Sequence, residues 1–282
     1  MAKKSEGFQD HETSSVEESN TNIMQLCLSN HTITLTQKVI AEFIGTYFVI
    51  FAGCGVVAVN KIYGSVTFPG ICITWGLIVM VMCYSVGHIS GGHFNPAVTI
   101  TWAIFRRISI KEALLYILAQ MFGSILASGT LSLIFEITSE THFGTVPVGS
   151  NAQSLVLEII TSFLLLFVVS ALATDERAVN NLTGVAVGMT IMLNVFITGP
   201  VSGASMNPAR SIGAALVVHV YKGLWIYIVG PIVGAIGGAI TYNFLRSIEN
   251  PHSEISPNSN FFSKSFLLSN LIKLIRGNTL AF

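Results

Sequence analysis

At 282 residues, with 51% hydrophobic and only 10% charged residues and a mean hydropathy of +0.68, the chain is too apolar to be a soluble domain of its length. Its formal net charge is zero, which offers nucleic acid no basic face, and no phosphate loop, metal-ligand cluster or nucleophile motif equips it for catalysis. What remains is an integral membrane protein that is not an enzyme and uses no cofactor.

In chain order, residues 1–36 form a polar, acidic N-terminal tail carrying Glu6, Asp10, Glu12, Glu17 and Glu18, with no apolar core and cleavage site of a signal peptide. Apolar runs near 37–58, 67–87, 112–136, 153–173, 182–199 and 223–244 each approach the ~20 residues that span a bilayer core, which predicts six membrane helices. Two further apolar segments, 94–104 and 206–218, are too short to cross and read as re-entrant half-helices. Cys54, Cys72 and Cys83 fall within spans and Cys27 in the tail, so no disulfide framework is legible.

The two short segments carry the same tripeptide. Ser90-Gly91-Gly92-His93-Phe94-Asn95-Pro96-Ala97 returns 112 residues later as Ser202-Gly203-Ala204-Ser205-Met206-Asn207-Pro208-Ala209. Ala41-Glu42-Phe43-Ile44-Gly45-Thr46, opening the first span, is matched by Leu157-Glu158-Ile159-Ile160-Thr161-Ser162 in the fourth. The membrane domain, 37–246, is therefore two repeats, 37–136 and 153–246. Three spans per repeat reverse the second copy in the membrane, so the repeats are inverted and the half-helices meet near the midplane. With both termini on one side, Lys38, Arg106, Arg107, Lys111, Arg177 and Arg246 gather there and Lys61 and Lys222 lie opposite. The positive-inside rule makes the first side, and both termini, cytoplasmic. Gly184 and Gly188, and Gly230, Gly234 and Gly238, recur at a four-residue spacing that permits close helix contact.

Pro96 and Pro208 suit the first position of a helix, where the missing amide hydrogen is not needed. Asn95 and Asn207 then become caps whose side-chain oxygens bind helix-start amides, turning their NH2 donors toward a lumen. Two opposed helix N-termini disfavour cations there and orient a passing water so that it cannot relay a proton. Val98 in the first repeat corresponds to Arg210 in the second, so one permanent charge breaks the pseudo-symmetry.

The paired Asn-Pro-Ala boxes, Asn207-Pro208-Ala209-Arg210-Ser211 and Gly87-His88-Ile89-Ser90-Gly91 resemble the major intrinsic proteins, the aquaporins and glycerol channels, over roughly residues 37–246. Thr74-Trp75-Gly76, Phe105-Arg106-Arg107 and Ala173-Thr174-Asp175 are most similar to the plant nodulin-26-like subfamily. The resemblance implies a right-handed bundle of six transmembrane helices with two re-entrant half-helices, assembled as a homotetramer in the plasma membrane. It further implies passive passage of water and small neutral solutes such as glycerol and metalloid hydroxides, and a narrowest filter at Trp75, Val195, Ala204 and Arg210. In that filter Trp75 is expected as an apolar wall, with Arg210 and nearby carbonyls on the opposite face. The histidine of strict water channels is replaced by Val195, which widens the filter.

Glu42 and Glu158 are intramembrane acids that need partners. The family pattern makes each a brace for its half-helix loop; a proton or sodium relay in an ion-coupled secondary transporter is the alternative. A non-conducting junctional membrane protein is a third reading. His88 stands in the family's cytoplasmic pore-mouth motif and is a candidate for protonation-dependent gating. The C-terminal tail, 247–282, holds an amphipathic stretch, Phe261 to Arg276, suited to the inner leaflet or a partner that binds such helices. Arg276-Gly277-Asn278-Thr279 has the spacing of a kinase site, which nominates Thr279 for phosphorylation.

Overall fold

The computed structural model describes residues 9–138 and 140–248, and among them the regular elements are all helical. They are α1 (Gln9–Tyr63), α2 (Thr67–Ser90), α3 (Pro96–Ile104), α4 (Ile110–Ile134), α5 (Asn151–Thr174), α6 (Thr183–Ser202), α7 (Pro208–Val218) and α8 (Ile226–Ile248). Six stretches are long and apolar enough to cross a membrane: Thr34–Tyr63 within α1, all of α2, α4, α5 and α6, and Ile226–Arg246 within α8. These are the six expected spans. Differences lie at their ends, for a local reason: Ser109 and Ser150 cap α4 and α5 by accepting from the Glu112 and Gln153 amides. Each helix therefore starts about a half-turn ahead of its apolar run.

The short helices α3 and α7 have 9 and 11 residues, too few to cross. Both begin at proline, two residues later than hydropathy indicates, because Asn95 and Asn207 hold extended backbone as caps. α2 and α6 end alike, at Gly91 and Gly203, with φ of 91° and 81° and amides bonded back to Gly87 and Gly199 carbonyls. Glycine carries no Cβ penalty there, so the chain can turn sharply from each long helix toward its half-helix.

The repeats pack through equivalent surfaces, α1 against α2 and α5 against α6, with α2 crossing α6 between them. Gly76 and Gly188 make that crossing close. A Cβ on either would lie 2.6 Å from the other's carbonyl oxygen. The anticipated spacing motif thus has a partner, Gly76, that spacing alone did not select. Gly234 and Gly238 of α8 meet the α5 backbone at Ile159 and Phe163 in the same way. Gly76→Val is expected to destabilise the protein by ~1–3 kcal/mol through overpacking, read as a lowered thermal midpoint of the purified protein. An unchanged midpoint would mean that the two helices part without cost.

Contacts between element ends agree with three crossings per repeat. Lys38 at the start of the first span pairs with Glu112 at the start of α4, 2.9 Å apart. At the other ends of these helices, the Lys61 ammonium donates to the His142 carbonyl at 2.7 Å. After α5, Asp175 accepts from Arg177 Nε at 2.9 Å and from the Tyr242 hydroxyl at 2.8 Å. Those hydrogen bonds, Arg177's foremost, hold its carboxyl well below the usual carboxylate range.

Candidate functional site

The two half-helices meet start to start. Asn95 Oδ1 accepts from the Ala97 amide at 2.9 Å and Asn207 Oδ1 from the Ala209 amide at 3.0 Å. Each cap also reaches across to the other repeat: Asn95 Nδ2 donates to the Met206 carbonyl at 2.7 Å, and Asn207 Nδ2 to the Phe94 carbonyl at 2.9 Å. This modifies the expectation that both NH2 groups point wholly at a lumen. One hydrogen of each amide joins the repeats, and one is left for a passing oxygen.

Those carbonyls face the opposite repeat because Phe94 and Met206 adopt φ of 48° and 53°, a left-handed conformation costly for large side chains. The buried acids hold them there. Glu42 accepts from the Ser90 hydroxyl at 2.7 Å, the His93 and Phe94 amides at 2.9 and 2.8 Å, and Gln120 Nε2 at 2.8 Å. Glu158 accepts from the Ser202 hydroxyl at 2.7 Å and the Ser205 and Met206 amides at 2.8 and 2.7 Å. Both carboxylates are wholly buried, and their donors are fixed parts of the loop ahead of each half-helix.

A cavity of about 430 Å³ passes this junction. Its lining includes Trp75, Val195, Ala204 and Arg210, both cap asparagines Asn95 and Asn207, and the charged residues Lys38, Arg107 and Glu112. All four filter residues named from sequence are thus brought together on one wall system, each at most 5% exposed. Their arrangement departs from the expected one. Arg210 folds back onto its own loop, donating to the Ala204 and Gly203 carbonyls, and its Cζ lies 4.1 Å from the centroid of Trp75. The guanidinium therefore stacks on the indole instead of facing it across the opening. Attraction between a desolvated cation and an aromatic face accounts for the stacking. The Trp75 indole nitrogen is buried with no acceptor among the described residues, which leaves it a donor beside the arginine.

His88 does not join this site. It is exposed on the last turn of α2, and the nearby histidine on the cavity wall is His93. His93 is buried, with Nδ1 3.0 Å from the Thr99 hydroxyl and its ring edge-on to Tyr116. Thr279 and the amphipathic stretch from Phe261 to Arg276 lie outside the described residues.

Sequence reasoning missed the residues that hold the loops from behind. The Tyr116 and Tyr227 hydroxyls donate to the Ser90 and Ser202 carbonyls at 2.8 and 2.7 Å, while Gln120 serves Glu42 and Thr99 together. A signal for the tyrosines existed: they stand 21 and 20 residues after the two cap asparagines. Gln120 has no such twin.

Six spans in two inverted repeats, with opposed half-helices around a buried cavity, define an integral multi-pass membrane protein of the channel-forming architecture. The family described as Major intrinsic protein matches residues 29–242, and the chain belongs to that family. It is 63% identical over 263 residues to the probable aquaporin NIP-type of Nicotiana alata, covering 91% of this chain and 97% of that protein. It is 53% identical over 230 residues to nodulin-26 of Glycine max, covering 81% and 85%. These relatives place it among the nodulin-26-like proteins. The X-ray structure of the aquaglyceroporin from Plasmodium falciparum shares the fold, with a TM-score of 0.66 at 22% identity over 77% of this chain and 98% of that one.

Proposed function

We propose that the chain is a passive channel for water and small neutral solutes, glycerol and metalloid hydroxides among them, that excludes ions and protons. The observation carrying this reading is the junction of the two half-helices on the cavity wall: each asparagine keeps one amide hydrogen for a passing oxygen after capping its helix and bonding the other repeat. A solute oxygen there meets donors on two sides and the positive ends of two helices, a setting hostile to cations and to a proton relay. Trp75, Val195, Ala204 and Arg210 act as the selectivity filter. Val195 and Ala204 leave room for a carbon chain, and Arg210 and the indole N–H of Trp75 supply donors to hydroxyls.

Glu42 and Glu158 act as braces in this reading. Each carboxylate already accepts three or more hydrogen bonds from the loop it supports, which favours a structural role over a relay in a coupled transporter. The working unit is a homotetramer with one cavity per chain, both termini are cytoplasmic, and the membrane is the plasma membrane. Stopped-flow light scattering of proteoliposomes, challenged with glycerol and with water gradients, tests the proposal. Glycerol flux that does not saturate and needs no ion gradient is the expected result; uphill, ion-coupled or absent flux overturns it.

A further inference from the structure

Away from the cavity, α1 and α4 enclose a groove of about 370 Å³ whose walls include Val39, Ile40 and Phe43 from α1 and Leu115, Leu118 and Phe122 from α4. Every lining side chain is apolar, and Ile40, Leu118 and Phe122 are 49%, 54% and 64% exposed, so the groove opens outward from the bundle. It occupies the end of the spans marked by the Lys38–Glu112 pair.

One charged residue continues its wall. Lys111, exposed in the first turn of α4, precedes Leu115, Leu118 and Phe122 by four, seven and eleven residues, and these positions share a helix face. Helical side chains lean toward the N-terminus, which carries the Lys111 ammonium out of the hydrocarbon level to the mouth of the groove. From Lys111 to Phe122 the helix rises about 16 Å, roughly one leaflet of a ~30 Å bilayer core. At that end Lys38 is engaged by Glu112 at 2.9 Å, and Lys111 is an exposed cation on the face of α4 that walls the groove.

We propose that the groove holds an acyl chain of an anionic phospholipid whose headgroup phosphate is bound by Lys111. An apolar slot whose α4 wall, Leu115 to Phe122, rises about 10 Å, with a lysine one helical turn beyond its end, fits that molecule in both parts, chain and charge. The basic stretch ending in Lys273 and Arg276 would bring like charge to the mouth. A second copy in the same membrane orientation would bring another Lys111 to the same level.

Native mass spectrometry of the full-length protein, exchanged against equimolar phosphatidylglycerol and phosphatidylcholine, tests the site. The expected result is one retained phosphatidylglycerol per chain, preferred by about fivefold, the factor one lysine supplies near an anionic lipid. Lys111→Gln should bring the two lipids to parity. Leu118→Trp, which fills the slot, should lower retention of both, with thermal midpoint and solute flux unchanged in either variant. Excess inorganic phosphate should not displace the lipid, because it offers nothing to the apolar slot. Equal retention of the two lipids by the wild-type protein, an undiminished preference in Lys111→Gln, or a change in oligomer mass rather than lipid retention in Leu118→Trp would overturn the proposal.

Discussion

Glu158→Ala is expected to lower solute flux through reconstituted protein by more than about tenfold, an effect of ~1.4 kcal/mol or more on passage, and to lower the thermal midpoint as well. The substitution strips the acceptor from the Ser202 hydroxyl and the Ser205 and Met206 amides. The hydroxyl can rotate to the Thr198 carbonyl, 3.4 Å away; the two amides cannot turn. Two buried, unpaired donors cost about 1–3 kcal/mol each. Met206 also loses what holds it in its left-handed conformation, and its carbonyl is the acceptor for Asn95 from the other repeat. A loop displaced there moves the junction itself. Glu158→Gln separates this role from ion coupling. The amide keeps one acceptor oxygen and the side chain's shape, so a brace retains most flux at reduced stability, whereas a proton or sodium relay would lose flux with its fold intact.

The double substitution Trp75→His/Val195→His is expected to cut glycerol flux by at least about tenfold, ~1.4 kcal/mol of added barrier, while water flux persists. Val195 and Trp75 are both nearly wholly buried on the cavity wall. An imidazole at 195 fills space that a valine leaves open and adds a polar group where a carbon chain would pass. Histidine at 75 also removes the indole on which Arg210 rests, so Arg210 keeps only its carbonyl partners at Gly203 and Ala204. The same stopped-flow measurement reads both solutes. If glycerol and water fall together, the substitutions have collapsed the cavity and the four residues are not a size filter; if neither changes, the constriction lies elsewhere.

The reach of sequence reasoning followed the physics of each feature. Spans and half-helices were legible because a bilayer makes apolar length decisive, and Asn95, Pro96, Asn207 and Pro208 were legible because cap and first-turn chemistry is local. Span ends at Ser109 and Ser150 escaped, since capping extends a helix past its apolar run. The stacking of Arg210 on Trp75 escaped too. It joins residues 135 positions apart, and neither carries a local mark of the other.

By itself, then, the amino-acid order determined the class of protein, the count of spans, the inversion of its repeats and the identity of the helix caps, because periodicity, apolar length and duplication are properties of short stretches of chain. Only the tertiary structure decided that each cap gives one amide hydrogen to the opposite repeat, that Phe94 and Met206 carry the strain, and that Tyr116, Tyr227 and Gln120 support the loops. It also separated His93, on the cavity wall, from His88, which lies outside. Each of these depends on which groups from distant segments meet in a buried space where every donor needs an acceptor, and that condition is met only once the helices are packed.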